Sequence, residues 1–161
     1  MPFGRPDIEY DLRGPARSFF HNTFPASITG IPGHSVENVI LANFEIVYPG
    51  RGNTGLAFLP LSRLNDVPEA EADYPEFHMF GELPAWAFYV RHVKDLTMKN
   101  ISVKAEAPDY RPAFVFDDVQ KLQLSELKII EDRLKSQVIL KDVNRAEFDN
   151  SAEKLVKTLE Q

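Results

Sequence analysis

Residues 93–103 read VKDLTMKNISV, and the spacing of their apolar side chains indicates a bent strand. The apolar positions are Val93, Leu96, Met98, Ile101 and Val103. Residues two apart on a strand point to the same face, so Leu96 and Met98 share a side, as do Ile101 and Val103. The step of three from Met98 to Ile101 would place the two pairs on opposite faces of a straight strand. Both pairs can face the same side only if the chain bends between them. The stretch therefore predicts two short strands joined by a bend, with the apolar side chains facing inward.

The same pattern recurs along the chain. Residues 36–46 (VENVILANFEI) and 119–129 (VQKLQLSELKI) align with it without gaps, and residues 143–151 (VNRAEFDNS) form a weaker fourth copy. A polar residue precedes the last apolar pair, and asparagine is favoured at such a bend because it tolerates left-handed backbone geometry. Stacked asparagines can also hydrogen-bond between copies. The bend residues are Asn43, Asn100 and Glu126, and the aligned apolar columns are Val36/Val93/Val119/Val143, Val39/Leu96/Leu122/Ala146, Leu41/Met98/Leu124/Phe148, Phe44/Ile101/Leu127 and Ile46/Val103/Ile129.

A further apolar run precedes each later copy, at residues 87–93 (AFYVRHV), 113–119 (AFVFDDV) and 137–143 (QVILKDV). Three strands per unit, repeated after 26 residues and then after 24, are typical of the coils of a β-helix. We therefore predict an all-β fold in one domain, residues 1–161: a right-handed, single-stranded parallel β-helix of about three to four coils with a short C-terminal helix. A β-sandwich is the alternative, because it also contains short strands of period two.

The spacing also locates the segments outside the repeat. The first two copies begin 57 residues apart, which leaves an insertion at residues 50–85. Residues 1–27 are predicted to be an irregular N-terminal cover, and residues 150–160 a capping helix with Asn150 as its N-cap. Exposed strand edges pair readily with other chains. We therefore expect the protein to self-associate through the N-terminal end of the repeat.

Composition excludes several classes of protein. The chain has 161 residues, a net charge of −6 and no cysteine. Nucleic acid binding usually requires a basic face, so this partner is not expected. Disulfides and thiolate metal sites are excluded, the histidines lack the spacing of metal ligands, and no cofactor motif is present. No apolar run approaches the roughly 20 residues of a membrane span, so a membrane partner is not expected either.

Two segments resemble a known family. They are residues 28–50 (ITGIPGHSVENVILANFEIVYPG) and residues 67–103 (VPEAEADYPEFHMFGELPAWAFYVRHVKDLTMKNISV). Together they are similar to the C-terminal coils of bacterial proteins in glycoside hydrolase family 28, the polygalacturonase-like family, in its gut Bacteroidetes branch. The resemblance extends over about residues 28–129. It implies a right-handed parallel β-helix, a pectin-type polysaccharide as substrate or partner, and an extracytoplasmic location, although the chain carries no signal peptide of its own.

The chain departs from the family at the catalytic motifs. Inverting glycosidases use a carboxylic acid and a carboxylate about 6.5–9.5 Å apart. The family's N-T-D and R-I-K motifs are missing, and the coils that carry them precede the matched region. Asp117 and Asp118 imitate the family's D-D motif, but they stand where a turn is expected, and turns favour aspartate. His34 is likewise expected to be a loop residue. We therefore assign no catalytic residue and expect a C-terminal piece that is inactive alone.

The insertion ends in the densest group of functional side chains, residues 74–86 (YPEFHMFGELPAW). Its aromatic residues could stack on sugar rings, and a neighbouring arginine, Arg63 or Arg91, could bind a uronate carboxylate. The alternative is that the aromatic residues anchor the insertion to the side of the repeat. The second interpretation is favoured, and no catalytic role is expected. The candidate ligand-binding residues are Tyr74, Glu76, His78, Glu82, Trp86 and Arg91.

Overall fold

A computed structural model describes residues 22–56, 58–73, 79–131 and 137–160. Strands dominate this part of the chain, and helical structure is limited to one 3₁₀ helix, Leu61–Asp66, and one short α-helix, α1, Asn150–Glu153. The strands are β1 (Ala26–Thr29), β2 (Val36–Gly50), β3 (Phe88–Ala107), β4 (Phe114–Ile130), β5 (Val138–Phe148) and β6 (Val156–Thr158).

All the strand pairs are parallel. β3 pairs with β4, β4 with β5, and β5 with β6. On the other side of β3, β1 pairs with its beginning and β2 with the rest. The register places Val36 opposite Val93, Val93 opposite Val119, and Val119 opposite Val143. The other predicted apolar columns pair in the same register, so the all-β class and the alignment of the copies are confirmed.

Residues with left-handed backbone mark the bends in each long strand. The predicted bend column is confirmed, with φ between 52° and 62° at Asn43, Asn100 and Glu126. The predicted asparagine contact also forms, because Asn100 Nδ2 donates to Asn43 Oδ1 at 2.7 Å. Two further columns adopt the same geometry. One contains His92, Asp118 and Asp142 and lies at the turn expected at Asp117 and Asp118, whereas the other, which contains Asn38, Asp95, Lys121 and Arg145, was not predicted.

The inward face of the strands forms the main core. Side chains that alternate along β3 and β4 stack on their counterparts in the neighbouring strand, which buries them almost completely. Phe88 and Phe114 stack face to face with ring centroids 5.3 Å apart. Each fully buried aliphatic or aromatic side chain of this kind contributes about 1.5–3 kcal/mol. The positions that are core in both β3 and β4 are occupied by Phe88, Val90, Val93, Leu96, Met98 and Ile101 on β3 and by Phe114, Phe116, Val119, Leu122, Leu124 and Leu127 on β4.

The insertion packs on the outward face of the same strands. Leu64 and Val67, at the end of the 3₁₀ helix, and Leu83, just before β3, are buried in a second apolar cluster. The cluster also contains Tyr89 and its column neighbours on β4 and β5, Val115 and Ile139. The starts of β3, β4 and β5 are therefore apolar on both faces, as is typical of strands covered on both sides.

The C-terminal segment differs from the prediction. Residues 150–160 were expected to be one helix capped by Asn150, but α1 ends at Glu153, and Val156–Thr158 form strand β6. Asp149 is the N-cap, because its Oδ1 accepts from the backbone amides of Ser151 and Ala152, both at 3.0 Å. Val156 aligns with Val138 and continues the apolar column, and β-branched residues favour a strand.

Candidate functional site

The insertion meets the strands at a group of charged side chains, which we call the corner cluster. It lies where the first bend follows the opening segment of each strand. The parallel register stacks Arg91 on Asp117 and Asp117 on Lys141, and the next residue of each strand has left-handed backbone. The cluster consists of Glu69 from the insertion, Arg91 and His92 from β3, Asp117 and Asp118 from β4, and Lys141 from β5.

Asp117 lies between two cations. Its side chain is 3% exposed, with Arg91 Nε 3.3 Å from Oδ2 and Lys141 Nζ 3.2 Å from Oδ1. The lysine contact is a hydrogen bond, whereas Arg91 Nε approaches without hydrogen-bond geometry. Lys141 also donates to Asn65 Oδ1 at 2.6 Å. A buried carboxylate is stabilised only if cations or hydrogen-bond donors surround it, as they do here. We therefore interpret Asp117 as a structural residue that pairs with Arg91 and Lys141.

His92 contacts a carboxylate at each ring nitrogen. Its Nδ1 lies 2.6 Å from Asp118 Oδ2, and its Nε2 lies 3.2 Å from Glu69 Oε1. Burial of the ring lowers the pKa of His92, but the hydrogen bonds to Asp118 and Glu69 outweigh it, and the pKa lies above its ordinary value. Arg91 Nη2 also holds Glu69, at 3.1 Å. The cluster therefore joins the insertion to β3 and β4 through charges.

The three predicted ligand-binding residues that the structure describes, Glu82, Trp86 and Arg91, have separate sets of partners. Arg91 is in the corner cluster, where Glu69 and Asp117 already bind its guanidinium and Val67 O accepts from its Nη1. Glu82 binds Asn22 instead, with its Oε1 accepting from the side-chain Nδ2 at 2.6 Å. Tyr74, Glu76 and His78 lie outside the described residues.

Trp86 requires a correction. Its side chain is 1% exposed and belongs to the main core, where its ring meets Tyr48 edge-on at 5.6 Å between centroids. A ring with no exposed face cannot stack on a sugar, so Trp86 is a core residue. Arg63, the other arginine considered, forms an ion pair with Asp66 on the surface of the 3₁₀ helix.

A second polar network fixes the two ends of the insertion. Asp109 is fully buried and binds Arg111 Nε and Nη2, both at 2.9 Å, and the backbone amide of Gly52 at 2.9 Å. Arg111 Nη1 also donates to Leu83 O at 3.3 Å. Burial raises the pKa of Asp109, but its hydrogen bonds to Arg111 and the charge of Arg111 lower it by more. The pKa of Asp109 is therefore below its ordinary value. This network is structural.

The side of β2 that faces away from β3 is a different kind of surface, which we call the β2 edge. Among the described residues, β2 pairs only with β3. Ile40 is 74% exposed, Phe44 42% and Val47 45%, although each lies within β2. An unpaired strand edge presents backbone donors and acceptors as well as these apolar side chains.

Two clefts flank the corner cluster. One, of about 480 Å³, lies between β1 and the insertion and is lined by Ser27, Thr29, Glu69 and Phe80, among others. The other, of about 560 Å³, is lined by Asn65, Lys141 and Leu159, among others. In the described ranges, no group of three or more histidine, aspartate or glutamate side chains is arranged to hold a metal ion.

Comparison of the chain with models of known protein families, with curated proteins and with solved structures finds no match. The resemblance to glycoside hydrolase family 28 therefore stays a prediction. No helix within the described residues has the length and apolar character needed to cross a membrane.

Proposed function

We propose that this protein is an assembly module: a right-handed parallel β-helix of the pectin-lyase-like type whose β2 edge pairs with a second copy of the chain. The observation that supports the proposal is that β2 carries exposed apolar side chains on both faces, Phe44 on the inward face and Ile40 and Val47 on the outward face.

The inward face of β2 is less covered than that of its neighbours. Phe44 is 42% exposed, whereas Ile101 and Leu127, its counterparts in β3 and β4, are 1% and 6% exposed. The same strand position is therefore core in two layers and surface in the third. Covering Phe44 would remove apolar area from water, which favours association by about 25 cal/mol per Å² before the entropic cost of binding.

The outward face of β2 has a composition unlike that of its neighbours. Ile40 shares its column with Thr97, Gln123 and Glu147, which form a hydrogen-bonded polar ladder. Its neighbours Val39 and Leu41 are apolar and face inward, so residues 39–42 (VILA) form a continuous apolar run. Such runs are typical of parallel strands that are covered on both faces.

A symmetric pairing fits this surface. A twofold axis between Asn43 and Phe44 would place Ile40 of one copy opposite Val47 of the other, so that these two exposed apolar side chains meet, while Phe44 would lie opposite Asn43. The same register keeps the exposed carboxylate of Glu45 opposite Ala42 and away from a second Glu45. An isologous contact of this type closes as a dimer.

The test is the oligomeric state over a range of protein concentration. Analytical ultracentrifugation should give a concentration-dependent dimer for the wild type and a monomer for the double variant Ile40→Lys/Val47→Lys. Ile130→Lys is the matched control, because Ile130 is exposed and shares the Val47 column but lies on β4. It should remain dimeric. A wild type that is monomeric throughout, or a double variant that still dimerises while folded by circular dichroism, would refute the proposal.

A second candidate is the pectin-related function that the family resemblance implies. The parallel strands in register and the left-handed residues Asn43 and Asn100 support it, because both are expected of the β-helix that the resemblance implies. Asp117, half of the imitated D-D motif, is buried between two cations, so it is poorly placed to reach a polysaccharide. We expect no reducing sugar to be released from polygalacturonate or rhamnogalacturonan. Robust turnover would establish a glycosidase, and binding without turnover would assign a carbohydrate-binding role.

A further inference from the structure

His92 is held in a way that depends on its charge. Both ring nitrogens face carboxylates, Asp118 at 2.6 Å and Glu69 at 3.2 Å. An ionised carboxylate only accepts hydrogen bonds, and a neutral imidazole has one donor nitrogen and one acceptor nitrogen. The imidazolium can donate to both carboxylates at once, whereas the neutral ring can donate to only one. The geometry therefore favours the protonated ring.

The three residues come from three separate parts of the chain. Asp118 and His92 occupy bend positions on neighbouring strands, which are fixed by the parallel register and by left-handed backbone. Glu69 belongs to the insertion, a few residues beyond the 3₁₀ helix. The bond between His92 and Asp118 thus joins two paired strands, while the bond between His92 and Glu69 joins the insertion to them. Of the two, the longer bond to Glu69 connects the less regular segment.

We propose that His92 is a pH-responsive latch, which holds residues 67–73 of the insertion against β3 while the imidazole is protonated and loosens them when it is neutral. Glu69 lines the cleft of about 480 Å³ between β1 and the insertion, so loosening this segment changes the wall of that cleft. Ser27 and Thr29, which also line the cleft, belong to β1, and β1 is paired with β3.

The charged groups around His92 set the direction and limit the size of the effect. Glu69 and Asp118 favour the imidazolium, while Arg91 disfavours it. Arg91 binds Glu69 regardless of pH in this range, so the segment is loosened rather than set free. Asp142 follows His92 and Asp118 in the same bend column, on β5, and its Oδ2 lies 3.8 Å from Lys141 Nζ.

The direction of the pH response follows from the pKa of His92. The pKa of His92 is above its ordinary value of 6.5 in the folded protein, because the bonds to Asp118 and Glu69 outweigh burial. The latch is therefore fully closed below about pH 6.5 and opens as the pH rises through the folded pKa.

Hydrogen–deuterium exchange of residues 67–73 at pH 5.5 and pH 8.5, corrected for the intrinsic exchange rate, tests the latch. In the wild type the protection factors should fall about tenfold from the lower to the higher pH, as expected for loss of one charge-assisted hydrogen bond. His92→Asn keeps a residue that tolerates the left-handed backbone but removes the titrating ring. Its protection should be low and equal at both pH values.

Two further variants keep the test decisive. Glu69→Gln places an amide opposite Nε2, which can accept from the imidazolium or donate to the neutral ring, so protection should persist at both pH values. His34→Gln is the control, because His34 is exposed and lies in the loop between β1 and β2, and it should behave as the wild type. Equal protection of the wild type at both pH values, or an undiminished pH response in His92→Asn, would overturn the proposal.

Discussion

Replacing Asp117 by asparagine tests whether the corner cluster is structural. The substitution keeps the shape of the side chain and removes its charge. The carboxylate is 3% exposed and lies within 3.3 Å of Arg91 Nε and 3.2 Å of Lys141 Nζ, so two cations lose their shared counter-ion. Removing one partner of a buried ion pair costs about 3–5 kcal/mol. Because 21% of the Lys141 side chain is exposed, its ammonium group can turn to water. We therefore expect Asp117→Asn to lower the free energy of unfolding by about 2–4 kcal/mol.

Chemical denaturation followed by tryptophan fluorescence measures this loss. Trp86 is the only tryptophan and is 1% exposed, so its emission reports the unfolding of the main core. A loss of 3 kcal/mol should also lower the melting temperature by about 6–12 °C for a domain of this size. Asp118→Asn is the matched control. Its side chain is 49% exposed, and we expect it to cost at most about 1 kcal/mol.

A structural role for Asp117 would be refuted if Asp117→Asn lowered the free energy of unfolding by less than about 1 kcal/mol, or if Asp118→Asn lowered it as much. Either result would mean that the buried position of Asp117 between its two cations does not set its energetic role.

Three further predictions concern single residues. Trp86→Ala should lower the free energy of unfolding by about 3–5 kcal/mol and Trp86→Phe by less than half of that, measured by circular dichroism because the fluorophore is lost. Asn100→Ala should cost about 1–2 kcal/mol, whereas Asn100→Gly, which accepts the φ of 52°, should cost less than 1 kcal/mol; equal costs would contradict a left-handed bend. The Ser151 hydroxyl and the amides of Glu126 and Ala152 lower the pKa of Asp149 to about 2, below its ordinary 3.8. Its contribution to stability is therefore present above about pH 3.8 and lost as the pH falls through 2, and thermal melts of Asp149→Ala should lose this acid dependence.

The strand register could be predicted because period-two spacing specifies which side chains share a face. The column that begins with Val36 and the bend at Asn100 could both be predicted without knowledge of distant contacts. The bend column that contains Lys121 and Arg145 was missed, although the same step of three residues separates Val36 from Val39. Asn38 and Asp95 in this column are of types that adopt left-handed backbone, but lysine and arginine have no such preference, so the column showed no consistent residue type.

The candidate site was harder to predict, because it depends on where the insertion lies. Glu69 precedes His92 by 23 residues, and only the folded insertion brings them together. The aromatic residues before β3 were conspicuous in the sequence, but Trp86 turned out to be core, because a large apolar ring next to a buried strand contributes most by being buried. Asp117 and Lys141 could have been paired from the column alignment alone, since opposite charges at aligned positions stack in a parallel register.

The symmetric contact through the β2 edge can be tested most directly by disulfide trapping, which is simple because the chain has no cysteine. Residues directly opposite each other on antiparallel strands have Cα atoms about 4.5–5.5 Å apart, within the range of a disulfide. Under mild oxidation, a mixture of the Ile40→Cys and Val47→Cys variants should form a cross-linked dimer, while either variant alone should form much less. A mixture that stays monomeric on a non-reducing gel, or that cross-links no better than Ile40→Cys mixed with Ile130→Cys, would show that two copies do not pair through the β2 edge.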